Sequence, residues 1–367
     1  MREEVMKVGI ITLHNAKNYG AVLQAYALCL YINQKYINVN AEVIDYRCKY
    51  IEDFYNPKST YSNSLKGKVK TLMAYNKLKN RNEIFDKFEQ NFIPLSIEYD
   101  KNNIKEANSY YDIYIAGSDM LWHWHTYKGN ECFDDNYFLS FVDDCKKKFS
   151  YAASFGTDEF IQKYKKYYKD KLSSFNKISV REKTGIDLVK RYVNKEAVCN
   201  VDPTLLLEVN EWKKIEKRPN ESGYVLLYEV GSISEKMLST AKRIAKENKI
   251  KLIVLCSELN PVKRQGIFGF SPQEFLGWFD NARYIITNSF HGTVFSIIYH
   301  KLFLSEISSW TKNNRSMELM EALGLLDRRL DIGTNIYEVI DWSKVDERLE
   351  ILRSNTYDYL ESVFNCE

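Results

Sequence analysis

Short apolar runs of strand length alternate with helical apolar patterns almost throughout the sequence. That alternation restricts the chain to βαβ units and parallel sheets, because parallel neighbours need a long crossover between them. Strands are expected near 7–13, 41–46, 112–116, 149–154, 177–180 and 197–201 in a first unit. A second unit carries them at Tyr224–Val230, Lys251–Cys256, Tyr284–Thr287 and Lys301–Ser305, with helices at about 234–248, 272–281 and 291–300. At 367 residues the chain exceeds a single hydrophobic core, so two domains are expected. The boundaries read as 1–210, 211–341 and a C-terminal helix in 342–367 packing back across the domain boundary. The charged stretch Glu211 to Gly223, with Pro219 and Gly223, is the linker expected between the domains. Between Ser64 and Phe92, apolar residues recur at helical spacing among many lysines, which predicts an inserted helical pair near 64–92 on the first domain.

A formal net charge of +3 argues against a dedicated nucleic-acid binder, and the run Lys163–Lys171 reads as a solvated helix face. The seven cysteines are scattered, without a Cys-x-x-Cys pair, so neither a disulfide framework nor a zinc site is expected. His14, His123, His125 and His300 form no metal-ligand spacing, and no metal or cofactor is expected. Neither a Gly-x-Gly-x-x-Gly fingerprint nor a P-loop occurs. The longest nearly apolar stretch, Ala21 to Ile32, is too short to span a bilayer, and no signal peptide precedes the first strand. A cytoplasmic protein is expected, with peripheral attachment at the inner face of the membrane as a further option.

The most informative local sequence is Tyr284 to Tyr299, a buried strand breaking at Thr287–Ser289 into a helix with His291 in its first turn. Ser289 or Asn288 can cap the orphan N–H groups there. Gly292 lets a ligand approach the backbone, and the helix start adds roughly half a positive charge, so a phosphate or carboxylate fits. The plainer alternative is a half-buried histidine at a helix start.

Other segments accompany it in order: Gly9-Ile-Ile-Thr-Leu with Asn18-Tyr-Gly-Ala-Val-Leu-Gln-Ala-Tyr-Ala-Leu28, Ile115-Ala-Gly-Ser-Asp-Met-Leu-Trp122, Ser150-Tyr-Ala-Ala-Ser-Phe-Gly156, Ile178-Ser-Val-Arg-Glu-Lys183 and Val201-Asp-Pro-Thr-Leu-Leu206. Together with the His291 corner, these resemble the polysaccharide pyruvyl transferase family from about residue 7 to about residue 330. The resemblance implies an α/β fold of two Rossmann-like domains facing a cleft, GT-B-like, with ligands outside the carboxyl ends of the strands. It also implies phosphoenolpyruvate as co-substrate, its pyruvate ending as a cyclic ketal across two hydroxyls of one sugar. The acceptor side is then assigned to the first domain and the donor side to the second.

So small and strongly charged a donor calls for bidentate arginines, and Arg181 and Arg315 are the candidates. For each the alternative is an ion pair. His291 is the candidate acid/base, because histidine titrates near neutral pH. Its other candidate role is binding the departing phosphate with Ser289 and the amides of Gly292 and Thr293. Asp119, at a strand end, is a candidate to take a proton from the sugar hydroxyl, or else a helix cap. Asn18 and Tyr19 lie at a loop-to-helix turn on the acceptor side. Trp122, with Trp124 nearby, is a candidate to stack on a sugar, or else a core residue. At the family's Gly-Ser-Asp-Gln-Val-Trp-Asn, this chain has Met120, Leu121 and His123, and His123 is a candidate to recognise a different sugar.

The expected partners are phosphoenolpyruvate and a glycan or lipid-linked oligosaccharide, in capsule, exopolysaccharide or cell-wall synthesis, with peripheral association with membrane-bound glycan assembly enzymes. The competing readings are a GT-B nucleotide-sugar glycosyltransferase and a non-catalytic carbohydrate-binding relative.

Overall fold

A computed structural model describes residues 5–58, 64–123, 134–156, 164–259, 266–307, 315–333 and 335–365. In chain order its strands are β1 (Met6–Ile11), β2 (Val39–Tyr46), β3 (Leu95–Tyr99), β4 (Ile113–Ala116), β5 (Lys147–Ser150), β6 (Ile178–Val180), β7 (Ala197–Cys199), β8 (Tyr224–Glu229), β9 (Leu252–Cys256), β10 (Ala282–Thr287) and β11 (Leu302–Ser305). A first sheet has the order β3-β2-β1-β4-β5, and the pair β6-β7 continues it through the bridges Phe149–Lys177 and Ala153–Val180. A second sheet has the order β11-β10-β8-β9. Every strand pairing is parallel. Helices cover both faces of such sheets, and accordingly β4 and β8 are buried at every residue.

Strand order reverses beside β1 in the first sheet and beside β8 in the second. A crevice outside the carboxyl ends of the strands forms at such points. The helix Tyr19–Lys35, capped by Asn18, leaves β1 and runs between the two halves, which is why its first eleven residues are all buried. Tyr19 stacks on Phe270 and Phe275 of the second half at 4.5 and 5.1 Å and donates its hydroxyl to the Phe270 carbonyl.

Two expectations are corrected. The segment 64–92 is a single helix, Leu65–Phe92, rather than a pair, since no Pro interrupts it and Ser64 supplies one N-cap. The stretch from Glu211 begins inside a short helix, Val209–Ile215, whose Trp212 is fully buried between Tyr26 of the first half and Phe295 of the second. Its lysines face out while one indole is wedged between the halves. The helix Trp342–Phe364 packs on the first half: Arg353 donates to the Leu205 carbonyl, Lys177 to the Ser362 carbonyl, and Tyr357 stacks on Tyr31. Among the described residues, no helix is long and apolar enough to cross a membrane.

Candidate active site

Arg181 is the first residue beyond β6, and its guanidinium is almost wholly buried. Nη1 donates to Asp202 Oδ2 at 2.8 Å and Nη2 to Asp119 Oδ1 at 3.4 Å. Asp202 lies beyond β7, where its other oxygen caps the turn Pro203–Leu205 through the amide and hydroxyl of Thr204. Asp119 lies beyond β4 with φ at 75°, a left-handed conformation that a side chain disfavours. The ends of β4, β6 and β7 thus converge on one cation.

The second half contributes the helix Phe290–Ile298, which Ser289 caps. His291 Nε2 stands 3.5 Å from Asp202 Oδ2, at the far limit of a hydrogen bond, and makes none among the described residues. The other side of the ring lies on Gly20, where an added Cβ would fall 1.9 Å from Nδ1. His291 is therefore gripped by the first half although it belongs to the second. Gly20→Ala is expected to displace the imidazole and lower turnover at least tenfold while the helix persists, since alanine favours helix over glycine. Steady-state kinetics with a circular dichroism melt check this; unchanged turnover would mean that the ring's position is immaterial.

The neighbouring Phe290 ring is approached by two guanidinium groups, Arg181 at 5.0 Å and Arg315 at 5.5 Å from its centroid. Arg315 begins the helix Arg315–Leu323, which docks on the first half through Glu318 accepting from the Lys183 amide. Unlike Arg181, Arg315 has no hydrogen-bond or ion-pair partner among the described residues. Burial, then the charge of Arg181, push its pKa down to about 10 against the opposing pull of Glu182, Asp119 and Asp202. It remains cationic at neutral pH, near the Phe290 ring that begins the capped helix. Burial pushes the Asp202 carboxyl up, but His291 and Arg181 outweigh it and hold that group below the usual carboxylate range.

Of the residues singled out in the sequence, the structure brings together His291, Asp119, Arg181 and Arg315. It gives others structural duties. The Gly292 amide donates to Ser289 Oγ and the Thr293 amide to the Ser289 carbonyl, while the Thr293 hydroxyl bonds Ser289 and Ser305. The Gly292 amide is committed to the cap and the Thr293 amide to the first turn of the helix, which leaves Phe290 and His291 as the residues whose N–H groups lead it. Trp122 is a core residue, fully buried against Phe138, Phe155 and Phe175, and cannot stack on a sugar. Asn18 is consumed as a helix cap, and Tyr19 is packed between the halves. His123 is half-buried against Gly156, where an added Cβ would meet its ring at 2.8 Å. Trp124 lies outside the described residues.

Sequence reading passed over Glu182 and Glu229, and weighed Asp202 as a residue that could line the cleft but reads first as a turn. Asp202 reads as a turn residue before Pro203, and it is one, yet its second oxygen faces both Arg181 and His291. Glu182 is buried and accepts from Ser154 Oγ and the Phe155 amide, fixing the loop after β5 to the residue beside Arg181. Glu229, at the carboxyl end of β8, is pushed up to about 7 by burial and by nearby Glu258. An acid ending the strand at the reversal point was the available signal. Near these groups, a cavity of about 320 Å³ between the halves is lined by Asn18, Tyr19, Arg81, Tyr228 and Glu258. Among the described residues no cluster of His, Cys, Asp or Glu is placed to hold a metal.

Two α/β units with their sites between facing strand ends define a GT-B-like scaffold. The putative UDP-N-acetylglucosamine 2-epimerase of Listeria monocytogenes has this fold, with a TM-score of 0.54 at 12% identity over 98% of this chain and 96% of that one. The S. aureus MnaA–UDP co-structure matches with a TM-score of 0.50 at 10% identity over 98% and 97% of the two chains. The sequence pattern of the polysaccharide pyruvyl transferases matches residues 18–305, and the chain belongs to that family. Comparison with curated protein sequences found no match.

Proposed function

We propose that this pyruvyl transferase takes its pyruvate from phosphoenolpyruvate and sets it as a cyclic ketal on a sugar of a polysaccharide or its lipid-linked precursor, releasing phosphate. Capsule, exopolysaccharide or cell-wall glycan synthesis is the setting proposed for it. The observation that carries the reading is the half-buried Arg315, which lies near the Phe290 ring as Arg181 does and itself has no hydrogen-bond or ion-pair partner among the described residues. A cation partly withdrawn from water favours the arrival of an anion. A compact molecule bearing both carboxylate and phosphate suits two guanidinium groups and a helix start.

In the proposed reaction the donor's methylene carbon gains a proton, C2 becomes oxocarbenium-like, and one sugar hydroxyl adds there. The C2–O bond to phosphate breaks, and the second hydroxyl closes the ketal. One hydroxyl proton balances the new methyl group and the other leaves with phosphate. His291 moves a proton or holds the departing phosphate, with the Asp202 carboxylate beside it. Arg181 and Arg315 hold the donor, and Asp119 takes a hydroxyl proton. Glu229, with its raised pKa, retains a proton near neutrality and is a second source for the carbon.

Phosphoenolpyruvate at a hundred times its dissociation constant is expected to stabilise the fold by ~2.7 kcal/mol, seen as a rise in Tm. UDP- and GDP-sugars at equal concentration should do far less. Stabilisation by a nucleotide sugar, without response to phosphoenolpyruvate, would favour a glycosyltransferase instead.

A further inference from the structure

The helix Leu65–Phe92 buries one side, through Gly67, Ala74, Leu78 and Arg81, and leaves an apolar stripe on the other. Leu65 is 84% exposed, Leu72 80%, Met73 61% and Val69 58%. At about 100° per residue these four fall within an arc of about 100°, opposite Gly67 and Ala74. Leucine and valine in water at such exposure are not placed there by the core. Lys66, Lys70 and Lys77 flank the stripe on one side, Lys68 and Lys79 on the other, and all five are exposed. No Asp or Glu occurs from Leu65 to Asn82. Among the described residues, only Lys79 of these lysines meets a carboxylate, Glu83 at 3.7 Å.

From this arrangement we infer that residues 65–79 form a docking face for a membrane surface rich in anionic lipid. An apolar stripe edged by lysines is the pattern of a helix lying in the plane of an interface, its apolar side chains among acyl chains and its ammonium groups rising to the phosphates. A second copy is a poor occupant, since pairing through this face would set lysines against lysines. Nucleic acid is poorer still, because the stripe's centre is aliphatic and offers nothing for a base to stack on. The face stands apart from the donor site, so the inference is independent of the donor's identity. The same helix continues to Leu78 and Arg81, which line the cavity between the halves. A surface-held acceptor would therefore meet the protein on the side from which that cavity is built.

The test is flotation of the full chain with vesicles of pure phosphatidylcholine, and with vesicles of equal parts phosphatidylcholine and phosphatidylglycerol. The wild type is expected to float with the mixed vesicles only. Val69→Asp with Leu72→Asp should abolish flotation, and Lys66→Gln with Lys68→Gln and Lys70→Gln should weaken partitioning about a hundredfold. Both variants keep the buried side of the helix, so melting curves by circular dichroism should match the wild type. Failure of the wild type to bind mixed vesicles, or undiminished binding by the aspartate variant, overturns the inference. So does self-association in gel filtration that the aspartate variant loses, if no vesicle binding accompanies it.

Discussion

His291→Asn is expected to leave a folded protein whose turnover is reduced roughly 100-fold or more, if the imidazole transfers a proton. Asparagine retains a polar group but cannot take up a proton near neutral pH. Donor affinity then survives largely intact, whereas a purely phosphate-binding histidine would show its loss in donor affinity instead. The surroundings sharpen the expectation. Nδ1 is pressed on Gly20, and Nε2 faces Asp202 at 3.5 Å without a hydrogen bond, so the ring is held by packing and charge rather than by a saturated network. His300 makes the suitable control because it is partly exposed and paired with Asp346. His14 is not suitable, being fully buried against Asp45. Near-normal turnover and donor affinity in a folded His291→Asn enzyme would remove the residue from the chemistry.

Arg181→Met should cost about 3–5 kcal/mol of stability in denaturant melts, because it strands Asp202 and Asp119 beside a buried apolar side chain. Adding Asp202→Asn should recover part of that loss, a coupling that a double-mutant cycle measures. The pH dependence should weaken as well. In the wild type the lowered Asp202 pKa contributes stability above the carboxyl's unfolded value, and this is lost as pH falls through the folded value. Without Arg181 the pull of His291 and Thr204 still opposes burial, so the variant should lose less of its stability on acidification than the wild type does. Arg181→Lys keeps a charge but cannot reach both carboxylates with a planar fork, and should raise the donor KM more than a surface substitution does. Equal stability of Arg181→Met and wild type across pH would show that the aspartates have other partners.

The alternation of apolar runs located ten of the eleven strands among the described residues to within a few positions, because strands buried on both faces are written as continuous apolar segments. The missed one, β3, is an edge strand with the mixed sequence Leu-Ser-Ile-Glu-Tyr and only one fully buried residue. At the site, the strand-end residues His291, Asp119 and Arg181 were legible because the fold puts chemistry at carboxyl ends of strands. Tyr19 and Trp122 were not, since an aromatic side chain reads the same whether it faces a sugar or the core. The close approach of Gly20 to His291 joins positions 271 residues apart, and no local pattern encodes it. Trp212 misled for a related reason: one indole among lysines looks like a linker until the partner surfaces on both halves are known.

The helix Trp342–Phe364 has a consequence for how the chain is made. It lays Arg353, Tyr357 and Ser362 on the first half, against segments synthesised long before it. Domains generally fold in the order in which they are synthesised, N-terminal first. Here that order is broken, because the outer strands β5 to β7 lack their final cover until the last helix has been translated. The nascent first half must therefore wait, partly open, through the synthesis of the entire second half. Closure is expected to be late and long-range, and a chain stopped before residue 342 should leave the earliest-made sheet without that cover.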